Sequence, residues 1–157
     1  MMGDNRYRKI ISRSLKIAVG SSLAIFVAYV LNLQNATAAG IITLITIVTS
    51  RHETVQLSYQ RVMTFFLSVV LACMIFQAIP WAWADYGIYI FAMAVICQLL
   101  NWDSTISLNA VIGTHFLVSQ DFSLVFILNE FSLVLIGIIF AILLNFYSRA
   151  PKDRGKN

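Results

Sequence analysis

Four polar side chains within or beside strongly apolar stretches are the first candidates for chemistry in this 157-residue sequence: Arg61, Asn109, His115 and Glu130. Ionisable side chains are costly inside hydrocarbon, so those that occur there usually face a partner or a water-filled cavity and carry function. Histidine ordinarily changes its charge near neutral pH, and a glutamate can accept a proton. The residue types therefore predict proton handling by His115 and Glu130.

Each of the charged candidates also has a structural interpretation. His115 could be a neutral side chain bonded to a neighbouring helix. Glu130 could cap the N-terminus of the last helix, where the helix dipole favours a carboxylate. Arg61 is predicted to open the third span, where its guanidinium could attract an organic carboxylate in bidentate fashion or serve only as a topology anchor.

Hydroxyl side chains form a stripe in the second apolar stretch. Thr43, Thr46 and Ser50 recur at three- and four-residue intervals, which places them on one helix face. Such a stripe either packs helices together or lines a polar path. We expect Thr43 and Thr46 to join Arg61 in contacting a substrate.

A second stripe in the fifth stretch contains Thr105, Asn109 and Gly113. Asn109 is predicted as a further substrate contact. His115 follows six residues later and points about 120° away by helical geometry. One face of this helix therefore cannot present both Asn109 and His115 to a single narrow site.

Catalytic and cofactor chemistry is not indicated by the sequence. No nucleophile, base and orienting residue fall together, which argues against an enzyme. No glycine-rich phosphate loop is present, so no nucleotide cofactor is expected. Cys73 and Cys97 lie inside apolar runs, where thiols usually act as small hydrophobes, and we predict neither a disulfide nor a metal site.

The composition places the chain in a lipid bilayer. Apolar residues make up 59% of the sequence and charged residues 11%, whereas soluble domains carry about 25% charged residues. The net charge of +4 could suggest nucleic acid as a partner. The basic residues, however, flank apolar runs and form no patch on a polar domain, so they predict topology instead.

Six apolar runs predict an all-α polytopic protein of about six transmembrane helices. They are Leu15–Leu31, Ala36–Ser50, Val62–Ile79, Tyr86–Leu100, Ser104–Ser119 and Phe131–Tyr147. Several are shorter than the roughly 20 residues that cross about 30 Å of hydrocarbon. The domain organisation that follows is a basic segment 1–14, a membrane domain 15–147 and a basic tail 148–157.

Lysine and arginine predict the orientation. With six spans, all 11 basic residues fall on the side of the two termini, while Asp85, Asp121 and Glu130 fall on the opposite side. The positive-inside rule then makes both termini cytoplasmic, in a bacterial inner membrane.

A faint internal repeat appears at an offset of 69 residues. It aligns Leu31-Asn32 with Leu100-Asn101, Ser50 with Ser119, and Arg61 with Glu130. Three spans per half would give the halves opposite topology, as in many secondary transporters.

Small residues recur on one face of the first span. Gly20, Ala24 and Ala28 are four residues apart and would let another helix approach closely. We expect this helix-packing stripe to join the chain to a second copy or to another subunit, which predicts a homo-oligomer.

Several short motifs follow one another in a fixed order. They are Thr49-Ser50-Arg51-His52-Glu53-Thr54, Arg61, Thr114-His115-Phe116, Asn129-Glu130 and Ile136-Gly137 through Asn145. From about Lys9 to Tyr147 the chain thereby resembles the aromatic acid exporter family, within the superfamily of fusaric-acid-resistance-like transporters. The resemblance implies proton-driven export of aromatic or amphipathic organic acids. Members of that family typically carry a soluble cytoplasmic domain after the six spans, which this chain lacks after Arg149.

Two other functions remain open from the sequence. A substrate-binding membrane subunit of a multi-component uptake transporter is also a small six-span protein, and Gly20, Ala24 and Ala28 would then be its docking stripe. A non-transporting membrane scaffold is the third possibility.

Overall fold

The computed structural model describes residues 2–47, 51–78 and 81–147. Within these ranges the chain forms six α-helices and one 3-10 turn, and no strand. They are α1 (Met2–Val30), α2 (Thr37–Thr46), α3 (Arg51–Phe76), α4 (Ala82–Leu99), the 3-10 turn Asp103–Thr105, α5 (Ile106–Ser119) and α6 (Leu124–Tyr147). Each predicted span overlaps one of these helices, so the prediction of an all-α membrane bundle is confirmed.

The helices fall into two length classes. Helices α1, α3, α4 and α6 are long and apolar enough to cross a membrane. In contrast, α2 has 10 residues and α5 has 14, which at 1.5 Å per residue gives roughly 15 and 21 Å, less than the hydrocarbon thickness. The two short helices must therefore satisfy their end groups inside the protein, because lipid offers no hydrogen bonds.

Three helices begin well before the predicted boundaries. Helix α1 starts at Met2 where Leu15 was predicted. Helix α3 starts at Arg51 where Val62 was predicted, and α6 starts at Leu124 where Phe131 was predicted. The early turns of α3 carry Thr54 and Ser58, both buried, so hydropathy alone missed them. As a consequence, Arg61 and Glu130 lie inside helices and not at their openings.

The loop between α5 and α6 is fixed by local side-chain bonds. The backbone N–H of Ser123 donates to the Asp121 carboxylate at 2.8 Å, and the N–H of Phe126 donates to the Ser123 hydroxyl at 3.2 Å. Ser123 is thus a favourable N-cap for α6. The Ser123 N–H also holds the pKa of the exposed Asp121 carboxyl below its ordinary value.

Helices α1 and α4 end with the same motif, 69 residues apart. Asn32 and Asn101 take left-handed φ angles of 54° and 57°, which asparagine tolerates. The N–H of Leu33 bonds the carbonyl of Ala28, and the N–H of Trp102 bonds that of Cys97, at 3.1 and 2.7 Å. Both ends are Schellman motifs closed by asparagine. The repeat seen weakly in the sequence is therefore present in the backbone.

Burial follows the same offset. Pairs of positions 69 residues apart are buried together. They include Ala24 with Met93, Ala28 with Cys97, Thr64 with Leu133, Phe65 with Val134, and Ala72 with Ala141. Helices α1–α3 and α4–α6 thus form two halves that present corresponding faces to the core.

The small-residue stripe of α1 packs inside the chain. Ala24 and Ala28 are fully buried, and a Cβ added at Gly20 would overlap the side chain of Leu144 on α6. The stripe is thus covered by helices of this same chain. A second copy or another subunit would have to use another face, and homo-oligomerisation stays a prediction.

A belt of large apolar side chains surrounds the bundle. Phe26, Tyr29, Phe66, Met74 and Phe91 are each more than half exposed. Exposed apolar surface of this extent marks contact with an apolar environment, and lipid tails supply one. Helix α1 also includes residues 2–14 of the predicted basic segment, and the predicted tail 148–157 lies outside the described residues.

Candidate functional site: two polar clusters in the bundle

Glu130 lies at the centre of the first polar cluster. Its Oε2 is 2.6 Å from Nδ1 of His115, and its Oε1 accepts hydrogen bonds from the side-chain amides of Asn35 at 3.1 Å and Asn129 at 3.3 Å. Glu130 is 1% exposed and His115 18% exposed. We call Asn35, His115 and Glu130 the acidic cluster.

Three elements hold the acidic cluster in place. Glu130 is in the second turn of α6 and His115 is near the end of α5, while Asn35 belongs to the turn before α2. Asn129 fastens that turn to α6, because its side chain accepts from the N–H of Gln34 at 2.8 Å and donates to the Gln34 carbonyl at 3.1 Å. The capping role considered for Glu130 is wrong, since α6 begins six residues earlier.

A cavity of about 200 Å³ adjoins the cluster. It is lined by Gln34, Asn35, Thr114, His115, Val118, Ser119 and Phe126. The imidazole of His115 therefore contacts both the buried carboxylate of Glu130 and an open volume. This arrangement can move a proton between the cavity and a carboxylate that is otherwise shielded from water.

Arg61 lies at the centre of the second polar cluster. One of its terminal nitrogens, Nη1, donates to the Thr46 hydroxyl at 2.6 Å, and Nη2 donates to the carbonyls of Ile45 at 2.7 Å and, weakly, Ser104 at 3.4 Å. Arg61 is 1% exposed. We call Thr46, Arg61 and Ser104 the basic cluster.

The basic cluster caps a short helix. Ile45 and Thr46 end α2, whose last carbonyls have no partners within the helix. The guanidinium of Arg61 supplies donors there, and a cation is favoured by the negative end of the helix dipole. Among the described residues no carboxylate lies within ion-pair distance of Arg61. The expectation that Arg61 opens the third span is wrong, because the side chain is buried about two fifths of the way along α3.

The two clusters correspond to each other under the 69-residue offset. Arg61 matches Glu130, Thr46 matches His115, and Ser104 matches Asn35. The contacts match as well. Arg61 bonds positions 46 and 104, and Glu130 bonds positions 115 and 35. Corresponding positions therefore meet twice, once around a cation and once around an anion, although Ser104 contributes a main-chain carbonyl and Asn35 a side-chain amide.

The contacts also fix how the halves run. Glu130 joins the start of α2, through Asn35, to the end of α5, through His115. Arg61 joins the end of α2 to Ser104, in the 3-10 turn that precedes α5. Helices α2 and α5 are therefore antiparallel, and the halves form the inverted repeat that the sequence suggested. The clusters lie roughly 15 Å apart along α5 at 1.5 Å per residue.

The remaining predicted substrate contacts lie between or beside the clusters. Thr43 is fully buried, and its hydroxyl donates back to the carbonyl of Ala39 at 2.8 Å. Asn109 is also fully buried, and its amide nitrogen donates to the carbonyl of Thr105 at 3.0 Å. Its Oδ1 has no partner among the described residues, which leaves one buried acceptor available.

Several polar residues of the site were missed by the sequence analysis. Asn35 and Ser104 were not singled out, although the offset of 69 relates them to each other. Tyr89 and Ser68 were also missed. They bond each other in the core, and the Tyr89 hydroxyl donates to the main-chain carbonyl of Asn109 at 2.8 Å. A repeat alignment was the available signal for the first pair, whereas the second pair has none.

Comparison with known proteins identifies the family of this chain. Residues 8–148 match the family described as aromatic acid exporter family member 1. The chain belongs to the aromatic acid exporter family. Membership in this transporter family confirms the predicted resemblance.

A related protein shows how this exporter-family chain compares with longer ones. The chain is 32% identical over 139 residues to the uncharacterized protein YqjA of Bacillus subtilis (strain 168). The alignment covers 88% of this chain and 43% of the relative, so this chain spans less than half of the relative's length. No solved structure matches it.

Proposed function

We propose that this chain forms the membrane unit of a proton-coupled exporter of aromatic or amphipathic organic acids. The observation that carries the proposal is the ion pair between His115 and the buried Glu130, beside a cavity. Membership in a family described as aromatic acid exporters supports the proposed substrate class. A buried ionisable pair in a membrane bundle is the usual location of a proton relay.

Coupling follows from what a proton does to the acidic cluster. When Glu130 is ionised, it accepts from His115 and from two side-chain amides. A proton on Glu130 removes the negative charge that holds those donors, so the end of α5 is released from α6 and the turn at Asn35 is held to α6 only through Asn129. Protonation therefore favours opening at this end of the bundle, and deprotonation favours closure.

The direction of transport follows from the charge pattern. The basic residues predict cytoplasmic termini in a bacterial inner membrane, which places the acidic cluster toward the outside. Protons from the more acidic exterior would then reach Glu130 through His115. An organic acid leaves as the proton enters.

The apolar wall of the cavity suits an amphipathic acid. Phe126 contributes a ring, and protonated His115 contributes a positive charge near it. Thr43, Thr46 and Asn109 remain proposed contacts along the path from the basic cluster. The alternative hypothesis of an uptake subunit loses its support, because the residues proposed to dock a partner, Gly20, Ala24 and Ala28, are buried within the chain.

Efflux from liposomes tests this function. Purified chain in liposomes loaded with radiolabelled benzoate should expel it when the outside is made one pH unit more acidic. One proton per acid can then support a gradient of about tenfold, because one pH unit corresponds to about 1.4 kcal/mol. We expect His115→Gln to lose this pH-driven efflux at equal protein content.

The second histidine provides the matched control. His52 is exposed in the first turn of α3, so His52→Gln should transport as the wild type does. Protein-free liposomes report passive leak of the neutral acid. Wild-type pH dependence in His115→Gln would refute the proton relay.

A further inference from the structure

The charge of Arg61 is incompletely balanced in this structure. The side chain is 1% exposed, its hydrogen bonds go to a hydroxyl and two carbonyls, and its Nε has no partner among the described residues. A buried cation without a counter-ion is expensive. Dipoles at the end of α2 offset part of that cost, but no described carboxylate completes the balance.

The repeat shows which kind of partner is lacking. At the acidic cluster, Glu130 faces His115, a side chain that can carry the opposite charge. At the corresponding place in the basic cluster, Arg61 faces Thr46, which is neutral. The counterpart of the His115 charge would be an anion, and the sequence supplies none at position 46.

The present partners of Arg61 are exchangeable. Neutral hydroxyl and carbonyl acceptors bind guanidinium less strongly than a carboxylate, which can accept two parallel N–H bonds. The contact to the Ser104 carbonyl is already long at 3.4 Å. A carboxylate that reached Arg61 would therefore displace the carbonyls of Ile45 and Ser104.

An aromatic contact lies close to this position. Phe65 is one turn along α3 from Arg61 and is fully buried. Its ring packs against that of Phe131 with centroids 5.3 Å apart, and Phe131 follows Glu130 in α6. An aromatic acid whose carboxylate is bound by Arg61 would have the rings of Phe65 and Phe131 beside it, in the direction of the acidic cluster.

We infer that the basic cluster is a carboxylate-binding gate, the counterpart of the proton-controlled gate at Glu130. Binding of the substrate carboxylate releases Arg61 from the end of α2 and from the 3-10 turn before α5, and so opens this end of the bundle. The inference rests on the proposed function. It adds where the acid is first bound and why the two ends open in response to opposite charges.

Ligand-dependent thermal stability of the purified chain tests the inference without any proton gradient. Benzoate should raise the melting temperature of the wild type in a concentration-dependent way, because a ligand of the folded state stabilises it by mass action. Benzamide, which has the same ring and no charge, should give no shift. Arg61→Gln should lose the benzoate shift.

Further variants make the result specific. Arg61→Lys keeps the positive charge but not the two-pronged geometry, so its apparent benzoate affinity should fall at least several-fold even if the glutamine variant does not fold. Arg13→Gln, which removes an exposed arginine of α1, should match the wild type. A full benzoate shift in Arg61→Gln, wild-type affinity in Arg61→Lys, or no shift in the wild type would overturn the inference.

The two proposals fail separately. If His115→Gln loses the benzoate shift while Arg61→Gln keeps it, the carboxylate site is the cavity at the acidic cluster and the inference is wrong. Proton-driven efflux would then still stand. If the benzoate shift depends on Arg61 but efflux ignores pH, the binding site stands and proton coupling is wrong.

Discussion

At the residue scale, single ionisable side chains were easier to predict than their partners. His115 was identifiable because imidazole is uncommon in an apolar helix. Its pairing with Glu130 was not, because a predicted start of the last helix at Phe131 put Glu130 in a loop. The observed start at Leu124 carries Glu130 into the bundle, where only a bonded carboxylate is tolerated.

Arg61 shows the same limitation. Hydropathy places the start of its helix at Val62, because the preceding residues are polar. The structure begins α3 at Arg51 and turns Thr54, Ser58 and Arg61 inward. Polarity on a buried face cannot be distinguished from a loop by hydropathy alone, so the burial of Arg61 required the fold.

The Tyr89 hydroxyl gives a residue-scale prediction about stability. It bonds Ser68 and the carbonyl of Asn109 in the core. Tyr89→Phe leaves both without this partner, so we expect a loss of about 1–3 kcal/mol in the free energy of unfolding. Reversible unfolding in mixed micelles measures it.

The control for this prediction is an exposed tyrosine. Tyr59 is 60% exposed, so Tyr59→Phe should change stability by less than about 0.5 kcal/mol. Adding Ser68→Ala to Tyr89→Phe should recover part of the loss, because one unsatisfied group is removed. Equal stability of Tyr89→Phe and the wild type would contradict the assigned bonds.

At the element scale, the two short helices are the feature that the sequence indicated least clearly. Their runs were recognised, but hydropathy drew α2 and α5 as spans of 15 or 16 residues. In the structure both are shorter, and Arg61 bonds the carbonyl of Ile45 at the end of α2 and that of Ser104 in the turn before α5. Half-length helices with ends at charged side chains are a recurring feature of transporter binding sites.

Glycine on α6 gives an element-scale prediction. A Cβ added at Gly137 would overlap Ile42 and approach the carbonyl of Ala39 on α2. Gly137→Ala should therefore push α6 away from α2 and lower the free energy of unfolding by about 1–3 kcal/mol.

Gly87 on α4 is the matched control for that substitution. A Cβ at Gly87 meets nothing within 4 Å. Gly87→Ala should be neutral or stabilising by up to about 1 kcal/mol, because alanine is the better helix former. If the two alanine variants had the same stability, close packing of α2 on α6 would be disproved.

At the scale of the whole molecule, the repeat was the most informative weak signal. Matches at Asn32 and Asn101 and at Arg61 and Glu130 were visible, and both correspond to equivalent structural positions. The sequence could not show that Thr46 and His115, which are 69 residues apart, also make equivalent contacts, because a threonine hydroxyl and a histidine imidazole are chemically unlike. Only the geometry showed that two equivalent clusters have centres of opposite charge.

Orientation is a whole-molecule prediction that labelling can test. In a chain whose Cys73 and Cys97 are replaced by alanine, Asp121→Cys should react with an impermeant maleimide in intact cells. Arg8→Cys should react only after permeabilisation. Both positions are exposed in the structure, whereas Asp85 is 3% exposed and would report poorly. Labelling of position 8 in intact cells would reverse the proposed direction of transport.

The central claim is that a proton on Glu130 is exchanged for an organic acid. Glu130→Gln removes the titratable proton but keeps a side chain that can hydrogen-bond His115 and Asn35, so the variant should still open and close around the acid but move no proton. The most direct measurement compares two activities of the same liposomes: exchange of radiolabelled for unlabelled benzoate at equal pH, and net efflux driven by a pH gradient. We predict that Glu130→Gln retains the exchange and loses the net efflux, whereas the wild type performs both. Net pH-driven efflux by Glu130→Gln at the wild-type rate would contradict the account.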